Sequence, residues 1–255
     1  MASFTPLTWS FCHPASKARD HPAKVNNHPA SDLSYSLSSR SAMISAGSYH
    51  WNAMTHPIKS LCVYCGSSVG ASSVYAKAAR NLAREMVDNN ISLVYGGGNI
   101  GLMGVIADEV LDLGGEVTGV IPKALLDKEV GHTRLTRQHI VRDMHERKAM
   151  MAELSDGFIA LPGGIGTLEE LFEVLTWAQL GFHEKPIGLL NVDGFYDGLI
   201  QFIHHLVETR FLKSEQESLL LHDSDASGLL ERFRSYVPTY HPKWIDQEKA
   251  KTLVP

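Results

Sequence analysis

The stretch LPGGIGTLEELFEVLTWAQLGF, residues 161–182, sets Gly163, Gly164 and Gly166 directly ahead of a helical apolar pattern that carries Glu169, Glu170 and Glu173. Glycine lets backbone N–H groups converge and lets a ligand approach closely. The first turn of the following helix offers unpaired N–H groups and a partial positive charge. Together they suit a phosphate, and Thr167 adds a hydroxyl donor. The competing reading is a tight strand-to-helix turn. Two further Gly/Ser loops, CGSS at 65–68 and YGGGNIG at 95–101, weigh toward phosphate binding.

Glu170 has two possible tasks. Thr167-x-x-Glu170 matches a capping box, worth ~1 kcal/mol. A capping carboxylate and a bound phosphate would compete for the same helix end, however. With phosphate there, Glu170 is left to face the ligand. The helical stripe Leu168, Leu171, Phe172 and Leu175 is expected in the core, with Glu170, Glu173 and Trp177 near the opposite side. Local sequence leaves cap and catalyst both open. DMHERKAMM, residues 143–151, supplies two cations, the planar Arg147 and Lys148. On spacing alone both are expected on a solvated helix face.

Other motifs exclude more than they assign. GGGNIG satisfies G-x-G-x-x-G through Gly96, Gly98 and Gly101, but it follows the second expected strand. The acid about twenty residues on, Glu116, starts the next strand, the wrong end to meet a dinucleotide's ribose. There is no Walker A pattern. His132, His139, His145, His204 and His205 show no metal-ligand spacing, so no metal site is expected. CVYC, residues 62–65, lies in an apparent strand, where positions i and i+3 face opposite ways. Two buried thiols are expected there rather than a redox pair.

These residues need a frame. Strands are expected at 58–65, 91–98, 116–122, 138–143, 157–164 and 185–191. Helices are expected at 73–90, 101–115, 144–155, 167–181 and 196–211. Such alternation predicts an α/β domain, a Rossmann-like parallel sheet with helices on both faces, over residues 58–240, with a C-terminal tail at 241–255. Ligands of such sheets sit at the carboxyl ends of strands, where the three loops fall. Residues 1–57 are rich in Ser, His, Pro and Ala and read as disordered. They fit a transit peptide, a functional tail, or an upstream extension with Met54 as the start. A net charge of −5 and three cysteines give no nucleic-acid footprint and no disulfide scaffold. No apolar run reaches the roughly 18 residues a membrane span needs.

Taken jointly, PGGIGTLEE (162–170), MHERK (144–148), CGSS and VYGGGNIGLMG (94–104) resemble the LONELY GUY (LOG) family of cytokinin riboside 5′-monophosphate phosphoribohydrolases, over roughly residues 58–238. The resemblance implies a Rossmann-like homodimer in the cytoplasm, organellar targeting by the N-terminal segment remaining open. It implies hydrolysis of the N-glycosidic bond of a nucleoside 5′-monophosphate to free base and ribose 5-phosphate, with no metal or redox cofactor. It places the catalytic pair on Arg147 and Glu170. Substrate contacts fall on Lys148, on Gly164, Ile165, Gly166, Thr167, Leu168 and Glu169, and on Glu129 and Thr176. Gly163, Gly97, Gly98 and Ser67 join the binding set as members of the three loops.

The same motif has carried a lysine decarboxylase label, but no lysine context for pyridoxal phosphate is apparent. Cleaving an N-glycoside builds positive charge on the sugar, which an ionised carboxylate stabilises. LTWAQLGF (175–182) fits a pocket wall for an N6-prenyl group, a core face or a dimer interface equally. Prenylated and plain AMP both remain open as substrates, as does a nucleotide carrier without hydrolysis.

Overall fold

Alternating apolar runs and amphipathic stretches fold as periodicity predicts. β1 (Ser60–Tyr64) leads into α1 (Ser73–Asp88), β2 (Ser92–Tyr95) into α2 (Gly101–Asp112), and β3 (Val117–Pro122) into the single turn α3 (Lys123–Leu126). β4 (Arg137–Val141) precedes α4 (Met144–Glu153), and β5 (Gly157–Ala160) precedes α5 (Ile165–Gln179). After β6 (Ile187–Leu190) come α6 (Asp197–Glu208), the short α7 (Ser214–Glu217), β7 (Leu220–Asp223) and α8 (Ala226–Arg234). The computed structural model describes residues 57–126 and 131–238. The expected N-terminal segment up to residue 56, Glu129 and the tail at 241–255 lie outside the described residues.

The strands form one parallel sheet in the order β4-β3-β2-β1-β5-β6-β7. Its central strands are buried on both faces, which is why they read as near-continuous apolar runs. In β1 the alternation divides them: Leu61, Val63 and Cys65 join the core under α1, α2 and α8, while Cys62 and Tyr64 join the core under α4, α5 and α6. The CVYC thiols thus point to opposite faces, and both are unbridged. On α1, Ser72 caps the first turn and Ala79, Leu82, Ala83 and Met86 form the buried stripe. Asp156 fixes the start of β1, accepting from the Lys59 and Ser60 amides at 2.8 and 3.0 Å.

Several elements carry too little pattern to be expected. β7 is four residues, LLHD, at the sheet edge, and half of it is polar. α8 is short, but Asp225 caps it by accepting from the Gly228 amide, and Leu229, Leu230 and Phe233 pack under the sheet. On α5 the buried residues are Thr167, Leu171, Val174 and Leu175. Phe172, expected in that stripe, is exposed.

α2 starts hard against the loop after β1. The Leu102 amide donates to the Gly66 carbonyl at 3.0 Å. Gly101 has φ of 62°, and a Cβ there would run into the Ser67–Ser68 peptide. Gly101→Ala therefore meets both backbone strain and a clash with main chain. It is expected to lower unfolding free energy by about 1–3 kcal/mol, read as a lower urea midpoint at unchanged m-value.

Candidate active site

Strand order runs outward from β1 through β2, β3 and β4 on one side, and from β5 through β6 and β7 on the other. Where the order reverses, the loops leaving β1 and β5 diverge and open a crevice at the carboxyl ends of the strands. The Gly66 amide ties these loops by donating to the Pro162 carbonyl at 3.1 Å. A cavity of ≈ 360 Å³ lies there. One wall is Cys65, Gly66 and Ser67. Another is the start of α5, from Gly164 to Thr167 with Glu169 and Glu170. Arg147, Met103, Leu125 and Met144 complete the lining, the Met144 sulfur accepting from Arg147 Nη1 at 3.7 Å.

The glycine loop is built around an uncapped helix end. Gly164 is the N-cap of α5 and no side chain caps the first turn. Thr167 is thus the third helical residue, buried, and Glu170 lies more than a turn into the helix. The capping box expected from Thr167 and Glu170 does not form, because the helix starts two residues earlier than its apolar pattern suggests. Gly163 is required by packing, since a Cβ would overlap the Thr167 hydroxyl. At Gly164 and Gly166 a Cβ would meet nothing within 4 Å, and neither residue needs left-handed backbone. The open space they leave lies over the first N–H groups of α5, an arrangement suited to an anion.

Arg147 and Lys148 overturn the solvated-face expectation: both are buried. The cap of α4 sets its rotation. Asp143 accepts from the Glu146 amide at 2.9 Å, and Glu146 in turn accepts from the Arg142 amide at 2.8 Å. Arg147, Lys148 and Met151 then face inward. Arg147 Nε donates to the Val120 carbonyl at 3.2 Å, and Nη2 donates to the Gly96 carbonyl at 3.3 Å. Glu170 Oε1 lies 3.9 Å from Nη2, with both side chains largely buried, at 9% and 13% exposure. A guanidinium taken from water needs such oxygens around it. Gly96 is part of the same provision, because a Cβ there would land on the guanidinium.

The other expected binding residues divide. Ser67 lines the cavity, as do Gly164, Ile165, Gly166, Thr167 and Glu169. Gly163 lies behind them against Thr167, and Leu168 packs half-buried on the core beneath α5. Gly97 and Gly98 do not line it. They are buried against residues 131–132, Gly97 accepting from the His132 amide and Gly98 bridging to Gly131. Lys148 is also off the cavity wall, its ammonium bound by Glu169 and Glu173 at 2.6 and 3.0 Å. Thr176 is exposed, its hydroxyl donating to the Phe172 carbonyl, about 16 Å along α5 from the helix start. LTWAQLGF contributes nothing to this cavity. The apolar lining residues Met103, Leu125 and Met144 come instead from α2, α3 and α4, three elements that no local spacing connects. Cys65 reaches the cavity, but burial and then the charge of Glu170 push its thiol well above the usual range, so it packs as a small apolar group.

Residues 103–233 match the family model described as "Possible lysine decarboxylase". The chain is 51% identical over 180 residues to cytokinin riboside 5′-monophosphate phosphoribohydrolase LOG5 of Arabidopsis thaliana, covering 71% of this chain and 79% of that one. It is 50% identical over 189 residues to cytokinin riboside 5′-monophosphate phosphoribohydrolase LOG of Oryza sativa subsp. japonica, covering 73% and 78%. The chain belongs to the LOG family. Among solved structures, it superposes on the molybdenum cofactor binding protein of Rippkaea orientalis with a TM-score of 0.53 at 20% identity, over 69% of this chain and 95% of that one. The molybdenum cofactor carrier protein of Chlamydomonas reinhardtii gives 0.52 at 18%, over 69% and 96%. These two share the LOG frame.

The LOG glycine loop can be tested apart from the fold. Gly166→Ala places a methyl over the first turn of α5 with no protein atom in its way. Stability is expected to hold or rise by about 0.5–1 kcal/mol, since alanine suits a helix better than glycine. Affinity for a nucleoside monophosphate, measured by calorimetry, is expected to fall about tenfold or more, as a group that blocks the N–H donors forfeits charge-assisted hydrogen bonds.

Proposed function

We propose that this LOG protein hydrolyses the N-glycosidic bond of N6-prenylated adenosine 5′-monophosphate, releasing the free base and ribose 5-phosphate. The observation that carries the proposal is a single cavity holding both an uncapped, glycine-lined helix N-terminus and the buried Arg147–Glu170 pair. The first feature suits the 5′-phosphate. The second suits a sugar carbon that becomes cationic. The names of the plant relatives point to the same reaction.

In this reading the phosphate rests on the amides from Ile165 to Thr167, and its binding energy helps position the ribose. Glu170, ionised, faces C1′. As the bond from C1′ to the base nitrogen breaks, the electron pair leaves with the base and the sugar takes on oxocarbenium character. The carboxylate stabilises that charge and orients a water whose oxygen bonds to C1′. The water's proton balances the charge on the departing base. Arg147, fixed by two main-chain carbonyls, holds Glu170 on the cavity side of α5.

Met103, Leu125 and Met144 support an apolar substituent on the base. Plain AMP is the second reading, since it would use the same phosphate anchor and the same pair. Two copies pairing as the resemblance implies would cover Phe172 and Phe182, which are exposed on and just after α5. Sedimentation should then give twice the chain mass, and a monomer would remove that part of the reading.

Base release, followed by chromatography, is expected from isopentenyladenosine 5′-monophosphate, more slowly from AMP, and not from either riboside lacking phosphate. Faster release from AMP would favour general nucleotide salvage, and no release from any of them would favour a carrier. Glu170→Gln is expected to lower kcat by about 10²–10⁴ with substrate affinity nearly unchanged. Near-normal turnover in that variant would overturn the assignment.

A further inference from the structure

Arg147 and Lys148 are neighbours on α4, and opposite them α5 presents three carboxylates within little more than a turn: Glu169, Glu170 and Glu173. Three like charges so close repel, and Glu169 and Glu173 alone form an unfavourable i,i+4 pair. Lys148 is 8% exposed and lies between those two, 2.6 Å from Glu169 Oε1 and 3.0 Å from Glu173 Oε1. Its neighbour Arg147 takes the remaining carboxylate, Glu170.

We propose that Lys148 and Glu173 are positioning residues: Lys148 neutralises the two glutamates flanking Glu170 and fixes the rotation of α5, so that Glu170 stays ionised beside Arg147. The family resemblance put Lys148 among the substrate contacts and gave Glu173 no role. The structure gives the ammonium two carboxylate partners and keeps it off the cavity wall. Burial works against the lysine's charge, yet the hydrogen bonds it donates to Glu169 and Glu173 more than offset it, and Lys148 stays more basic than an ordinary lysine. Glu173 is the more sheltered partner, its side chain 23% exposed against 51% for Glu169, so solvent screens its bond less.

The charged and titratable groups facing Glu170 come from three elements. α4 supplies Arg147 and Lys148, α5 supplies Glu169 and Glu173, and β1 supplies Cys62, Tyr64 and Cys65. Burial holds the three β1 groups neutral. The two cations and the two flanking glutamates therefore all weigh on the charge of Glu170. Removing Lys148 makes ionised Glu170 less favourable, so its carboxyl would titrate higher and activity would be lost sooner as pH falls. Neutralising Glu173 removes a negative neighbour and moves the carboxyl the other way.

The inference rests on the catalytic reading of Glu170, but its test does not need turnover. The Glu170 carboxyl would be titrated by ¹³C NMR in glutamate-labelled protein, assigned with Glu170→Gln. Lys148→Met is expected to raise the midpoint by about one pH unit, and Glu173→Gln to lower it. Lys148→Arg is expected to return it to within about 0.3 of the wild-type value. The acid limb of kcat/KM should follow the same order. Should Lys148→Met fail to fold, Glu173→Gln still decides the matter, since an unmoved midpoint there overturns the proposal. Midpoints unchanged in all variants would overturn the proposal. So would a phosphate-contact pattern, in which Lys148→Met raises KM and Glu173→Gln lowers it with no movement of the midpoint. Wild-type protein that releases no base would sink the catalytic reading while leaving the titration readable.

Discussion

A guanidinium kept from water has to be surrounded by oxygen, and Arg147 sits where main chain can supply it. The carbonyls of Val120 and Gly96 come from the ends of β3 and β2, and the Glu170 carboxylate comes from α5. Moving any one of the three would leave a buried charge short of a partner, a cost that well-packed structures avoid. Much of the surroundings follows from this need. The loop after β2 must bring a carbonyl close with no side chain beside it, hence Gly96. α4 must be rotated to turn Arg147 and Lys148 inward, hence the Asp143 cap. α5 must present Glu170 rather than another face to α4, and the Lys148 bridge to Glu169 and Glu173 sets that rotation.

The glycines share composition but not purpose. Gly96 makes room for an arginine, Gly163 for the Thr167 hydroxyl, and Gly101 for the peptide after Ser67. Gly97 and Gly98 lie flat beneath residues 131–132. Gly164 and Gly166 instead face open space, at a helix N-terminus whose first turn no side chain caps. The open helix end is therefore two residues wide, held in place by glycines that serve packing. Ser67 completes the wall because Gly66 fastens its loop to Pro162.

The frame carries little of the chemistry. Proteins named for binding or carrying molybdenum cofactor share the fold at 18–20% identity, and a crevice at a strand-order reversal is common to open α/β sheets. In this chain Arg147 and Glu170 come within 3.9 Å of each other beside that crevice. Their burial makes the electrostatic effect count, since solvent screens a pair at 9% and 13% exposure far less than one on the surface.

Sequence by itself determined the alternation of strands and helices through α6, because central parallel strands are apolar throughout and their covering helices amphipathic. It also located the three loops at strand ends and, through the joint motif, pointed to Arg147 and Glu170, which the fold brings within 3.9 Å. It did not show β7 or α8, whose few apolar positions gain meaning only against the sheet. Tertiary structure decided what each motif residue is for. Spacing on α4 alone gave Arg147 and Lys148 a solvated face, because nothing in nine residues announces the carbonyls of Val120 and Gly96 or the glutamates of α5. The capping box at Thr167 failed for a similar reason: helix α5 starts at Ile165, where the loop from β5 meets the loop from β1. The apolar lining residues Met103, Leu125 and Met144 belong to three separate elements. Periodicity records which face of one segment is buried. It holds no record of what that face is buried against, and charge, cavity and catalysis depend on the second fact.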